Sequence, residues 1–365
     1  MMEPLTFHGC AAEYQELSGA ILRRTHEVLA TGKVLQGPEV AQFESEIAAL
    51  AGRQHAIAVG SGTDALFFAL TAAGIGAGDE VLLPDLSFIA SASAIARTGA
   101  RPVFVDITES CCIDLDKAAH LVARRSRAMI VVQLFGSMAD PTGVEAFART
   151  HGLVLIEDYA QSLGATFNGH PCGSAGLAGA VSFDPTKIIG APGSGGAVVT
   201  DDDELAMKVR QLRLHGKQGP DFVIPGYNSQ LPSWTAAVLS LKLARNAEWT
   251  RRRTATAMRY LAGFRDLPLC HPIRPPEVHH VWHKFTLRFR QRDAMVAHLA
   301  AAGIPVMVHY RRALHQESVF ASQQHDQDFP VTMAHCSETF SLPIHSHLSD
   351  DDVDRVIAAV SSFFG

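Results

Sequence analysis

Three short segments hold the side chains best suited to chemistry. Ser61-Gly62-Thr63-Asp64-Ala65 reads as the start of a helix, where free backbone N–H groups and a hydroxyl make a ready phosphate site. Glu157-Asp158-Tyr159-Ala160-Gln161 follows an apolar run and sets a carboxylate and an amide at the end of a buried strand. Ser182-Phe183-Asp184-Pro185-Thr186-Lys187 places one lysine in an apolar segment, beside a hydroxyl and ahead of a Gly-rich loop from Gly190 to Gly196. Singly, each has an ordinary explanation: a helix cap, a loop cap, a solvated lysine. The loop is not a Walker A sequence, because no Gly-Lys-Ser/Thr follows its glycines. Together, their order and spacing carry weight.

Such side chains need a scaffold that collects distant parts of the chain at one edge. The sequence between them repeats a grammar of helix, Gly turn and short β-branched run. Helices are expected over Thr63–Ala73, Ser91–Arg97, Asp116–Arg124 and Val144–Thr150. Strands are expected over Glu80–Leu83, Pro102–Asp106, Ala128–Val132 and Leu153–Ile156. Strands apolar throughout, alternating with helices, indicate a mostly parallel sheet covered on both faces, with ligands at the carboxyl ends of its strands. After about residue 230 the grammar changes. One long helix is expected from Ser233 to Ala262, with Trp234, Val238, Leu241 and Ala244 on its apolar face. A proline-rich linker follows from Leu267 to Val278, then a strand over Val281–Phe289 and a helix over Arg292–Ala302. A last helix begins at Ser349, with Asp352 placed to complete a capping box. The expected layout is a large α/β domain over 1–240 and a small α+β domain over 241–365.

Composition narrows the function. The chain has 365 residues, 47% hydrophobic and 19% charged, enough for a sizeable core and too little charge for a disordered chain. A formal net charge of −6 leaves no basic excess to neutralise phosphates, so nucleic acid is not an expected partner. No apolar run reaches the ~20 residues that span a bilayer. Met1–Tyr14 lacks the basic-then-apolar pattern of a signal peptide, which points to a cytoplasmic protein. The six cysteines show no Cys-x-x-Cys pair, and His279-His280 and His345-x-His347 lack matching ligands, so neither a disulfide framework nor a metal centre is expected.

Pyridoxal phosphate suits these parts: it needs a lysine for a Schiff base, an acid facing its pyridinium nitrogen and donors for its phosphate. The chain resembles the DegT/StrS-type sugar aminotransferases, pyridoxal-phosphate enzymes of fold type I, almost end to end. The likeness runs through Gly78-Asp79-Glu80-Val81, Ser87-Phe88, Pro102–Asp106, Leu134-Phe135-Gly136 with Asp140, and Glu157–Gln161 with Gly164. It continues through Ser182-Phe183 with Lys187, Gly226 with Asn228, His309-Tyr310 and Ser341–Ile344. The resemblance implies a large domain with a mostly parallel sheet of seven strands, a small C-terminal domain, and a homodimer with shared active sites.

Carried over position by position, it implies that Lys187 forms the Schiff base and shuttles the Cα proton. Asp158 would pair with the ring nitrogen, Gln161 with the ring hydroxyl, and Phe88 would stack on the ring. Gly62, Thr63 and Ser182 would hold the phosphate, joined by Asn228 from the second subunit. Related dehydratases carry His in place of the lysine, so Lys187 favours transamination. Glutamate is the donor the resemblance implies, and a nucleotide-linked keto sugar the acceptor. The glycine cluster beginning at Gly193 and the stretch Trp249–Tyr260, with Arg251 and Arg252, resemble enzymes that aminate C3. The alternatives are a C4-aminating enzyme, a cyclitol-ketone aminotransferase, or a non-catalytic homologue that binds a ligand or regulates. Three positions depart from the family pattern: Ser194 replaces an acid, Gln230 an arginine, and Arg311 a proline. Arg311 and Arg312 are expected to face a substrate phosphate or to form a solvated basic loop. His309, Tyr310, His283 and His315 are expected substrate contacts.

Overall fold

A computed structural model describes residues 5–320 and 324–365. Seven strands form its main sheet: β1 His55–Val59, β2 Glu80–Pro84, β3 Arg101–Val105, β4 Ser126–Val132, β5 Val154–Asp158, β6 Ala178–Ser182 and β7 Gly196–Thr200. Their order is β1-β7-β6-β5-β4-β2-β3. Only β7 runs against the others, pairing antiparallel with both β1 and β6. The expected mostly parallel sheet is therefore what forms. Ile57, Val81, Leu83, Ile130 and Ile156 join one apolar layer, with α3 (Gly62–Ala72) and α4 (Ala90–Thr98) packed into it. Leu82, Val105, Met129 and Leu155 face the opposite layer, with α6 (Pro141–His151). Period-two alternation on strands buried from both sides produces this division, and it is why the strands read as unbroken apolar runs.

Of two N-terminal helices that the alternation does not announce, Cys10–Ala30 packs on the helix Ser233–Leu243, and Pro38–Ala51 packs on the sheet at β1 and β7. The first is tied down by a buried ion pair, Glu13 to Lys242 at 3.0 Å, whose ammonium also donates to the Gly190 carbonyl at 2.8 Å. This clamp fixes the Gly-rich loop after Lys187. Lys242 lies near the end of a helix over Ser233–Leu243, and a second helix starts at Asn246 and runs to Gly263. The single long helix expected here is thus two. The first half packs beneath the sheet with Ala236 and Leu239, and the second reaches a separate cluster with Ala257 and Tyr260. Trp249, early in the second helix, still packs in the first core, so the change of core follows the break. Ala244, expected on the buried face, is exposed.

That separate cluster is built on a short antiparallel pair, β8 Phe285–Arg288 and β9 Thr339–Leu342. The strand expected from Val281 is shorter, because Trp282 takes a positive φ and bends the chain before it. The Ser349–Asp352 capping box opens the last helix, Asp350–Ser361, as expected. Among the described residues, no helix is long and apolar enough to cross a membrane.

Candidate active site

The carboxyl ends of the parallel strands converge on one cavity of about 480 Å³. β1 leads to Ser61-Gly62-Thr63, β2 to Ser87-Phe88, β5 ends on Asp158 with Gln161 just beyond, and β6 ends on Ser182 and leads to Lys187. The opposite wall comes from the C-terminal part of the chain, through His283, Lys284, His309 and Tyr310.

Strand alternation decides which acid serves the cavity. Glu157 points away and is consumed structurally: its carboxylate accepts from the Gly173 N–H at 2.9 Å, the Ala175 N–H at 3.1 Å and the Gln133 amide at 2.8 Å. Asp158 points into the cavity. It accepts from the Ser91 hydroxyl at 2.8 Å and the Ala160 N–H at 3.1 Å. Ser91 has a single hydrogen, so the 2.9 Å contact between Ser87 and Ser91 is donated by Ser87. Burial pushes the Asp158 carboxyl up, against these two donors and the Lys187 charge. Burial pulls the Lys187 amine down, against Asp158 and Asp184. An amine held down in this way is available as a nucleophile or base.

The residues fit pyridoxal phosphate on two structural counts. The first N–H groups of a helix have no partner within it. Here Asp64 N–H is capped by the Ser61 hydroxyl at 3.1 Å, while the Gly62 and Thr63 N–H groups meet no acceptor among the described residues. Gly62 also lies so close to β6 that a Cβ there would fall 2.5 Å from Ser182 Cβ, a space kept open for backbone donors. Second, Asp158 is a buried carboxylate whose hydrogen-bond donors are neutral, and no cation among the described residues lies within ion-pair distance of it. Such a carboxylate suits a pyridinium nitrogen.

The remaining expected residues divide. Phe88, 53% exposed, lines the cavity, as does Ser194. Gln161 lines it with its amide oriented: its oxygen accepts from the Phe135 N–H at 3.0 Å and its nitrogen donates to the Tyr310 hydroxyl at 3.1 Å. Burial draws His309 down to about 3 and His283 well below its ordinary value, so both are neutral imidazoles. His309 Nδ1 meets the Ser341 hydroxyl at 2.8 Å. Asn228 is exposed and does not line the cavity. Its neighbour Ser229 is clamped to the start of α3, donating to Asp64 at 2.7 Å. Gln230 donates to Asn228 at 3.3 Å.

Three expected contacts are not brought in. Arg311 and Arg312 are exposed and off the lining, Arg311 lying 3.8 Å from Asp293. His315 is buried elsewhere between Asp85 at 2.6 Å and Asp326 at 2.9 Å. Both contacts lie far along the chain or around a turn, so its sequence position gives no sign of them. The histidine pairs are also otherwise engaged: His280 Nδ1 accepts from the Trp282 N–H, and His347 pairs with Glu16. No group of three or more metal-ligating side chains forms among the described residues. Conversely, Ser91, His8 and Lys284 enter the site without a motif to announce them, whereas Ser87 belongs to the Ser87-Phe88 motif. A serine on a helix and a lysine in a strand-like stretch are too common to single out.

Comparison with known proteins agrees with this geometry. A profile of the DegT/DnrJ/EryC1/StrS aminotransferase family matches residues 15–361. A "Pleiotropic regulatory protein" of Geobacillus stearothermophilus is 39% identical over 359 residues, 96% of each chain. A dTDP-3-amino-3,4,6-trideoxy-alpha-D-glucose transaminase of Streptomyces venezuelae is 39% identical over 353 residues, 96% of this chain and 93% of that one. The solved structure of S. venezuelae DesV with a ketimine intermediate superposes with a TM-score of 0.96 at 38% identity, over 99% of both chains.

Proposed function

The chain belongs to the DegT/DnrJ/EryC1/StrS aminotransferase family, and from that membership we propose that it moves an amino group from glutamate to C3 of a nucleotide-linked 3-keto sugar in the cytoplasm. The observation that carries the reading is the half-buried Lys187 and the buried Asp158, facing one cavity beside a helix N-terminus with free donors. The C3 assignment draws on the sequence around Gly193 and on the relative named for a 3-amino sugar.

Pyridoxal phosphate, when bound, supplies an aldehyde that takes up amines and a ring that accepts the electrons of a broken Cα–H bond. Gly62 and Thr63 N–H groups with the Ser182 hydroxyl would hold its phosphate, Asp158 would meet its ring nitrogen, Gln161 its ring hydroxyl, and Phe88 would lie against the ring. Lys187, as the neutral amine its environment favours, would supply the nitrogen that joins the aldehyde. When displaced by the donor, Lys187 would serve as base toward the Cα proton of glutamate and as acid toward the sugar carbon in the second half-reaction. Neutral His283 and His309 are suited to sugar hydroxyls, since an uncharged imidazole both donates and accepts. We place Asn228 on the phosphate of a second subunit, forming a homodimer with shared sites. Its exposure, beside a loop clamped to α3 but off its own cavity, supports that placement.

The test is direct. The purified protein should be yellow, bleach when given glutamate, and regain colour with a 3-keto nucleotide sugar but not with a 4-keto sugar or a cyclitol ketone. A second reading, a non-catalytic regulator, takes support from the relative named as a regulatory protein. A protein that neither holds the cofactor nor responds to glutamate would favour it.

A further inference from the structure

Lys284 is a second lysine in the cavity, separate from the Lys187–Asp158 machinery. It is 6% exposed and immediately precedes β8, where its backbone N–H donates to the Phe135 carbonyl at 3.1 Å. Its side chain lines the active cavity and also a neighbouring one of about 180 Å³. The ammonium lies 5.1 Å from the centre of the Phe7 ring. Among the described residues it has no hydrogen bond and no carboxylate within ion-pair distance. Buried lysines are rarely left without an anion, because the charge loses hydration that an aromatic face alone only partly replaces. A site that keeps one unpaired is arranged for an anion that arrives later.

Among the described residues, the cavity lining contains two Lys or Arg side chains, Lys187 and Lys284. Lys187 is engaged with the cofactor under the reading above, on which this inference rests. An amino-acid donor must nevertheless bring its carboxylates into this space and shed their water. We propose that Lys284 is the cation of an anion subsite that pairs with a carboxylate of the amino donor. Its surroundings match that role. Burial, then the positive Lys187 and Arg253, draw the Lys284 amine down to about 7, while Asp184 and Cys10 act weakly the other way. A carboxylate placed beside it restores its proton. His8, His283 and His309, which also face it, are drawn far below neutrality and stay uncharged in that range.

Glutarate, a dicarboxylate with neither amine nor ketone, separates this binding from transamination. Calorimetric titration of the protein with its cofactor bound should show glutarate affinity falling as pH rises through about 7. Lys284→Met should weaken binding roughly tenfold or more and flatten the pH profile, as expected for loss of a charge-assisted contact. Lys284→Arg should restore most of the affinity. A nucleoside diphosphate, titrated in parallel, should bind the Met variant and the wild type alike. Unchanged glutarate affinity and pH profile in a folded Met variant would overturn the proposal. So would selective loss of nucleoside diphosphate binding, which would assign the subsite to the acceptor's phosphates. Failure of glutamate to bleach the wild type would instead refute the transaminase reading, and the glutarate result would stand apart from it.

Discussion

Replacing Ser91 by Ala removes one of two donors from the Asp158 carboxylate without touching any group that meets substrate. Ser91 is 1% exposed and Asp158 5%, and the 2.8 Å bond between them is one of two that the carboxylate accepts. A hydrogen bond to a charged group is worth about 1.5–3 kcal/mol, and a full pKa unit corresponds to about 1.4 kcal/mol. The Asp158 carboxyl, already pushed up by burial, should therefore rise by a further ~1–2 units. A carboxyl so raised is ionised over a narrower range, and only the ionised form can hold a pyridinium charge. The acid limb of the rate of glutamate-induced bleaching, followed by stopped-flow absorbance, should move to higher pH by the same ~1–2 units. Below that limb the rate should fall by roughly 10–100-fold. Ser91→Cys, with its weaker donor, should lie between, and Ser87→Ala should shift the limb less because it only orients Ser91. An unmoved acid limb in a Ser91→Ala protein with native near-ultraviolet circular dichroism would refute the role given to Asp158.

Lys187→Ala should abolish turnover yet still bind the cofactor through its phosphate and Asp158, and wild-type-like turnover without added amine would remove Lys187 from its role. Asn228→Asp should weaken cofactor binding by setting a negative charge against the phosphate. If lysine and asparagine come from different subunits, co-refolding the two inactive variants should regain activity, since one site of each mixed dimer is intact. No recovery in mixed dimers verified by mass spectrometry would mean that Asn228 serves its own subunit. Burial alone would lower His315, but its bonds to Asp85 and Asp326 hold it above its ordinary value. Its stabilisation is thus complete below the unfolded value of about 6.5 and lost as pH rises through the raised folded value. Melting temperature against pH should decline over that window in the wild type and decline less in His315→Gln, and identical slopes would show that the cluster contributes no pH-linked stability.

The sequence by itself determined the class of sheet and the segments that meet at its cavity. Its strands are covered on both faces, so hydrophobic runs alternating with helices are a local signature of a parallel sheet. The chemistry that follows each strand is local too: Ser61–Thr63, Asp158 and Lys187 each sit within a few residues of a strand end. Only the tertiary structure decided what lies across the cavity. The long stretch after Ser233 breaks at 244–245, and its far end joins a different core, neither of which its own periodicity shows. Ser91 finds Asp158 across 67 residues of chain, and His315 finds Asp85 across 230. Arg311 and Arg312 share a loop with Tyr310 yet turn outward, while Lys284, inconspicuous among apolar neighbours, turns in. Which way a side chain faces, and whether a charge meets a partner, depends on contacts between residues distant in sequence, and those exist only once the chain has folded.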